Sequence, residues 1–261
     1  MKRHVYKGMG HGQLLHEHPE AYAKHLRVFM DSNTDEIKEP EVIKETDKML
    51  TDKEVRKLKK KTIKTMGDKK TFRKEMAKRM SDPDCDKIWR ESHKLLYRMY
   101  KDHYDLSKGI KTHTDAFIFP AAAIYLAMKE ISPDVAYDVM KKEMADKSEK
   151  TGQMLGKCCR IPGFKEFFLR MWDTVSRRMF GDKSGFKNVF YPRKKGYFRM
   201  DITECPYHKY LTELGCPEIN VLFCENDVHA YGNLPGLKFT RTKTIGAGDE
   251  LCDFKMELVK R

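Results

Sequence analysis

The sequence predicts an α+β fold in which N-terminal helices pack on a C-terminal antiparallel β-sheet of about four strands. Three observations carry that expectation. From about residue 81 to 180, apolar residues recur at three- and four-residue spacing, the period of an amphipathic helix. After Gly181 the period falls to two, and large apolar and polar residues alternate over Gly185 to Tyr191 and Gly196 to Thr203. Between those two runs, Pro192-Arg193-Lys194-Lys195-Gly196 is a turn signal, so the pair reads as a β-hairpin.

Residues 1–80 read as a basic extension, helical or partly extended, and 81–261 as the α+β domain, helical over 81–180 and sheet-forming over 181–261. Within the extension, Ala21 to Met30 predicts one short helix. Thr51 with Glu54 three positions on fits a capping box, and Val55, Leu58, Phe72, Met76 and Met80 form a sparse apolar stripe that Gly67-Asp68 divides into two helices. Ser81-Asp82-Pro83-Asp84 starts the next helix, over about 83–105, with Ile88, Trp89, Leu95, Leu96 and Met99 on one face. Thr112 to Glu130, apolar in its middle, predicts a buried helix despite Pro120. Ser132-Pro133-Asp134 restarts the pattern to about residue 147, and Phe164, Phe167, Phe168, Met171, Trp172 and Val175 mark a helix over about 162–180. Beyond the hairpin, Pro206 to Leu214 and Pro217 to Tyr231 predict two short helices, while Leu237 to Ile245 and Leu251 to Val259 supply two more strands.

Composition bounds the function. With 261 residues the chain has ample material for a core without disulfides. Seven cysteines is an odd number, Met1-Lys2-Arg3-His4 leads into no apolar signal region, and no apolar run reaches the ~18 residues that would span a membrane. The expectation is a cytoplasmic protein with reduced thiols and no membrane partner. The net charge of +13 invites a nucleic-acid reading. Yet Lys53 to Arg79 holds 13 Lys or Arg against the acids Glu54, Asp68 and Glu75, with Phe72 its one aromatic and no nucleic-acid motif. A solvated helical face is the simpler account, and nucleic acid is disfavoured as a partner. P-loop, GxSxG and dinucleotide fingerprints are lacking, which sets aside ATP, NAD and serine-hydrolase chemistry.

The chemically loaded residues lie late in the chain: Thr203-Glu204-Cys205-Pro206, Cys224-Glu225-Asn226-Asp227, Arg241-Thr242-Lys243-Thr244, and Gly248 to Phe254 with Cys252 and Asp253. Ionised cysteine is a soft nucleophile, aspartate a base, and arginine a clamp for carboxylates. Cys205 falls where a strand hands over to a helix with Pro206 in the first turn, so backbone N–H groups there would favour its thiolate. Cys224 and Asp227, three apart, share a helical face. Cys252 and Asp253, adjacent in a strand, point to opposite faces, with Phe254 on the Cys252 side. For each, a packing or surface role is the plainer alternative. No CxxC or structural zinc spacing occurs, Cys158-Cys159 read as packing residues between helices, and His11, His16, His18 and His25 are a weak metal signal. No metal and no cofactor are expected.

In that order the blocks Asp201 to Tyr207, Leu214-Gly215-Cys216-Pro217-Glu218, Cys224 to Asp227, Phe239 to Thr244 and Gly248 to Lys255 resemble the L-2-amino-thiazoline-4-carboxylic acid hydrolase family. The likeness covers roughly residues 85–258 and is densest after about 196. Lys255 departs from it, standing where an arginine is common. The resemblance implies a hydrolase that opens a small cyclic amidine or thiazoline carboxylate to a carbamoyl amino acid. It implies Cys205, Asp227 and Cys224 as catalytic residues, with Cys205 as nucleophile or thiolate stabiliser and Asp227 as general base. Arg241, Thr242, Thr203, Cys252 and Asp253 become substrate-binding residues, Arg241 holding the carboxylate. The partner would be a small-molecule substrate, and a homo-oligomer stays open. The closing Gly-x-x-x-Cys-x-Phe pattern is also similar to small ligand-sensing domains of the vinyl-reductase type, which leaves a non-catalytic small-molecule or metal-binding module as the alternative.

Overall fold

The computed structural model describes residues 50–259. The expected helix at Ala21 to Met30 and the histidines at 11, 16, 18 and 25 lie outside the described residues. From Thr51 onward the chain forms one compact unit.

Helix α1 (Asp52–Asp68) opens on the capping box, with Thr51 N–H donating to Glu54 Oε2 at 2.9 Å and Glu54 N–H donating to Thr51 Oγ1 at 3.3 Å. Gly67-Asp68 ends it, and α2 (Lys70–Met76) follows at once. Their apolar stripe, Leu58, Met66, Phe72 and Met76, is buried, α1 against α3 (Asp82–Asp102) and α2 against α6 (Pro133–Cys158). Ser81 caps α3 through its hydroxyl.

The expected single helix over 112–130 is instead three pieces: α4 (Lys108–His113), a π-helical turn (Thr114–Ile118) and α5 (Phe119–Ile131). The π-turn is how the chain accommodates Pro120. It shifts the ladder by one residue, so that Pro120, which has no N–H to give, falls in the first turn of α5. Every residue of α5 from Phe119 to Tyr125 is buried, sandwiched between α3 and α6.

Helix α6 runs to Cys158, well past the expected end near 147. Gly152, which looks like a helix breaker in the sequence, is a contact point. A Cβ there would meet the His229 carbonyl oxygen at 2.7 Å, so its bareness lets α9 (Asn220–Tyr231) lie directly on α6. Cys158 and Cys159 therefore sit at the end of α6 rather than between helices, and Cys159 joins the core beneath the sheet. Helix α7 (Phe164–Met179) turns its Phe168 and Leu169 into that core.

Four antiparallel strands follow, β1 (Lys187–Phe190), β2 (Tyr197–Glu204), β3 (Leu237–Thr240) and β4 (Cys252–Leu258), in the order β1-β2-β4-β3. The inner face carries Phe198, Met200, Ile202, Cys252, Phe254 and Met256 against α7, with Met200 opposite Phe254 and Ile202 opposite Cys252. Between β2 and β3 the chain inserts α8 (Pro206–Glu213) and α9. Strand β3 stops at Thr240, five residues short of the expected end, because the Asp253 carboxylate accepts the amides of Thr242 and Lys243 and bends the chain out of the ladder. The fold is thus α+β, with helices packed on a four-stranded antiparallel sheet.

Candidate functional site

Four segments from the last third of the described chain converge beside the inner face of the sheet. Cys205 is the N-cap of α8, Cys224 and Asp227 lie one turn apart on α9, Arg241 to Thr244 form the loop leaving β3, and Cys252 begins β4.

Arg241 and Asp227 form the polar centre. Arg241 Nη1 donates to Asp227 Oδ2 at 3.0 Å and Nη2 donates to the Cys224 carbonyl at 2.6 Å, with Phe239 beneath the guanidinium at 5.8 Å. The arginine side chain is 8% exposed, the aspartate 38%. Asp227 keeps part of its carboxylate open to solvent while protein packs densely around it. Burial pushes its carboxyl up to about 6, outweighing the attraction of Arg241. A base with that pKa is divided between its two forms close to neutrality.

Two of the three thiols, Cys224 and Cys252, share one hydroxyl, and Cys205 lies near both. Thr244 Oγ1 donates to Cys224 Sγ at 2.9 Å, while Cys252 Sγ lies 3.6 Å from the same oxygen and accepts from the Ile245 N–H at 3.3 Å. The short turn after Thr244 presses so close that a Cβ on Gly246 would stand 2.9 Å from Cys224 Sγ. Burial raises the Cys205 thiol to about 12, against the opposing pull of the His208 and Tyr207 amides, and the nearby sulfurs of Cys252 and Cys224 add to the rise. Burial likewise raises Cys224, against the Thr244 hydrogen bond. The helix start does favour the Cys205 thiolate, as its position implies, but desolvation wins and the resting group is a neutral thiol.

Asp253 sits on the other side of β4, as adjacency to Cys252 requires. Its Oδ1 accepts from the Thr242 and Lys243 amides at 2.7 and 2.6 Å and its Oδ2 from the Thr242 hydroxyl at 2.7 Å, and these bonds hold its carboxyl below the usual range despite some burial. Asp253 and Thr242 therefore clasp the loop that carries Arg241 and Thr244. Thr203 is not brought to the recess: it is exposed and gives its hydroxyl to the Lys187 carbonyl at 3.1 Å. Lys255 also faces away, pairing with Glu257 at 3.0 Å, so the loss of an arginine fork there does not touch the recess.

Aromatic rings cluster beside the polar groups, with Phe239 under Arg241. Trp172 meets Tyr231 edge-on at 4.7 Å and stacks on Phe254 at 5.9 Å, Phe239 lies 4.8 Å from Phe254, and Tyr207 lies 4.9 Å from Phe223. Tyr207 and Thr244 were within legible blocks of the sequence without being singled out. His113 gave no signal beyond a lone histidine. It is 2% exposed, with Nε2 2.9 Å from the Met179 carbonyl and Nδ1 3.1 Å from Tyr207 Oη. The carbonyl accepts only a proton, so Nε2 carries it and Nδ1 receives the Tyr207 hydroxyl, which fixes that ring beside Cys205. Among the described residues, no group of three His, Cys, Asp or Glu is disposed to hold a metal ion.

A family model, L-2-amino-thiazoline-4-carboxylic acid hydrolase, matches residues 110–256, more than half of the chain. The chain belongs to that family. The matched span begins just before His113 and closes within β4, so it encompasses every residue of the recess and excludes α1, α2 and α3. No curated protein and no solved structure matches the chain significantly. Family membership accordingly rests on the family model and on the blocks from Asp201 to Lys255. Among the described residues, no helix is long and apolar enough to cross a membrane.

Proposed function

We propose that this chain is a hydrolase that opens a small cyclic amidine or thiazoline carboxylate to a carbamoyl amino acid. The observation that carries the reading is the partly buried Arg241–Asp227 pair, with Phe239 under the guanidinium, inside the family-matched span. A 2-aminothiazoline-4-carboxylate bears an amidine-like carbon at one end and a carboxylate at the other. A paired acid and base with one partly open carboxylate suits such a zwitterion, Arg241 using its remaining N–H groups on the carboxylate and Asp227 facing the ring carbon.

Because Cys205 rests as a neutral thiol, the reading favours water as nucleophile over a thiolate. Asp227 removes a proton from water, whose oxygen bonds to the ring carbon between sulfur and nitrogen. The carbon–sulfur bond then breaks as the carbonyl forms. The proton held by Asp227 passes to the departing sulfur, and the second proton of the water goes to the ring nitrogen, which leaves a free thiol and a carbamoyl group. Cys205, Cys224 and Cys252 would receive the sulfur, with Thr244 setting the orientation of Cys224 and Cys252. Thr242 and Asp253 hold the loop.

The test is release of free thiol from 2-aminothiazoline-4-carboxylate and from a panel of related cyclic amidines. Turnover is expected for the wild-type chain, with a loss of about a hundredfold or more in Asp227→Asn. Cys205→Ser is expected to retain part of it. Full inactivity of the wild type on the panel, with saturable binding of the same compounds, would instead establish the binding-module alternative.

A further inference from the structure

One cavity in the described residues lies outside the family-matched span. It is an open groove of about 750 Å³ between α2 and the first half of α3, lined by Lys70, Arg73, Lys74, Asp86, Trp89 and His93 among others, with Gly67 of α1 also in its lining. Its two walls differ in kind. Lys70, Arg73 and Lys74 stand one turn apart on α2. Trp89 and His93, one turn apart on α3, meet edge to face at 6.0 Å and burial keeps the imidazole's pKa below its usual value, so the indole is backed by a neutral ring. Arg73 is anchored across the groove by Asp86. Among the described residues, Lys70 and Lys74 form no ion pair, and they lie in the Lys53 to Arg79 segment, where 13 Lys or Arg face only three acids.

We propose that this groove binds a nucleoside phosphate. The partly exposed indole offers a face on which one planar base can stack. Lys70 and Lys74 meet the phosphates, and Arg73, oriented by Asp86, has N–H groups left to donate to them. The volume falls in the range of roughly 300–1,000 Å³ typical of small-molecule sites. A single aromatic platform suits one base, not the row of platforms that a single strand of nucleic acid needs.

The chain contains two tryptophans, Trp89 and Trp172. Replacing Trp172→Phe leaves Trp89 as the only indole, so its emission reports the groove directly, and calorimetry on the wild-type chain gives an independent reading. The probe is ATP, with adenosine and inorganic triphosphate as its two halves. Saturable quenching by ATP is expected, and each half alone should bind at least about tenfold more weakly. The double variant Lys70→Ala, Lys74→Ala should weaken ATP binding about tenfold or more, while Lys53→Ala, Lys57→Ala, which removes the same charge outside the groove, should leave it nearly unchanged. Gly67→Leu, which adds bulk to the groove lining without altering charge, should weaken binding at least about tenfold. Equal losses in the two double variants would show diffuse charge attraction and overturn the proposal. So would an absence of quenching at millimolar ATP, or affinity for RNA that climbs steeply with strand length.

Discussion

Asp227 is the residue whose chemistry is most exposed to experiment. A carboxyl raised to about 6 in the native state, above its unfolded value of about 3.9, binds more protons folded than unfolded between those pH values. Its ionisation therefore opposes folding. The penalty is absent below about pH 4 and complete above about pH 6, and Asp227→Asn removes it. The variant should gain thermal stability relative to wild type as pH rises through that window, a trend that a pH series of melting curves would detect. A flat difference across pH would refute the raised value. If Asp227 is the base, hydrolysis by the wild type should rise with pH through an apparent pKa near 6, and the rise should vanish in Asp227→Asn. Cys205 gives a complementary measurement. With its thiol pushed up to about 12, alkylation by iodoacetamide in the native chain at pH 8 should be far slower than in the unfolded chain, where cysteine returns to about 8.5. Rapid native alkylation at Cys205, read by mass spectrometry, would restore the covalent mechanism.

At the scale of elements, two glycines set how α9 is seated. Gly152 admits α9 onto α6, and Gly246 admits the turn after Thr244 onto Cys224. Gly152→Ala should cost about 1–3 kcal/mol, because the new methyl meets a backbone carbonyl that cannot rotate away. Gly246→Ala meets a sulfur instead, and should impair hydrolysis more than stability, since the displaced Cys224 lies in the recess. Gly67 provides the opposite case. A Cβ there meets nothing within 4 Å, so Gly67→Ala should raise stability by up to about 1 kcal/mol through helix propensity alone. These elements also show what a sequence discloses. The capping box at Thr51, the Ser81 start, the hairpin and the opposite faces of Cys252 and Asp253 were all legible, because each depends on residues within a few positions of one another. The length of α6, the early end of β3 and the π-turn before Pro120 were not. Each is decided by a distant partner: α9 against Gly152, and Asp253 taking the Thr242 and Lys243 amides. The π-turn is settled where α5 is wedged between α3 and α6. The recess was legible in part. Its blocks named Cys205, Asp227 and Arg241, but neighbourhood in the chain could not reveal that Arg241 is bound to Asp227, that Thr203 turns outward, or that His113 reaches Tyr207 from far upstream.

Over the whole molecule, apolar packing has two parts, the helices gathered around α5 and the cluster under the sheet. Ile124 of α5 is fully buried, and Ile124→Ala should cost about 2–5 kcal/mol, measured by denaturant unfolding, with no effect on the recess residues. All seven cysteines are free thiols, so the melting temperature should be the same with and without reductant. The sheet order has a consequence for synthesis. Strand β4 pairs with both β2 and β3 yet follows each of them in the chain. As the polypeptide leaves the ribosome, the helices through α7 can collapse together first. Strands β2 and β3 must then wait with bare pairing edges until β4 emerges between them, and Cys252 reaches the recess only at that moment. A nascent chain halted just short of Cys252 would present two open strand edges at once, which makes the interval before β4 emerges the time when these strands most need a chaperone.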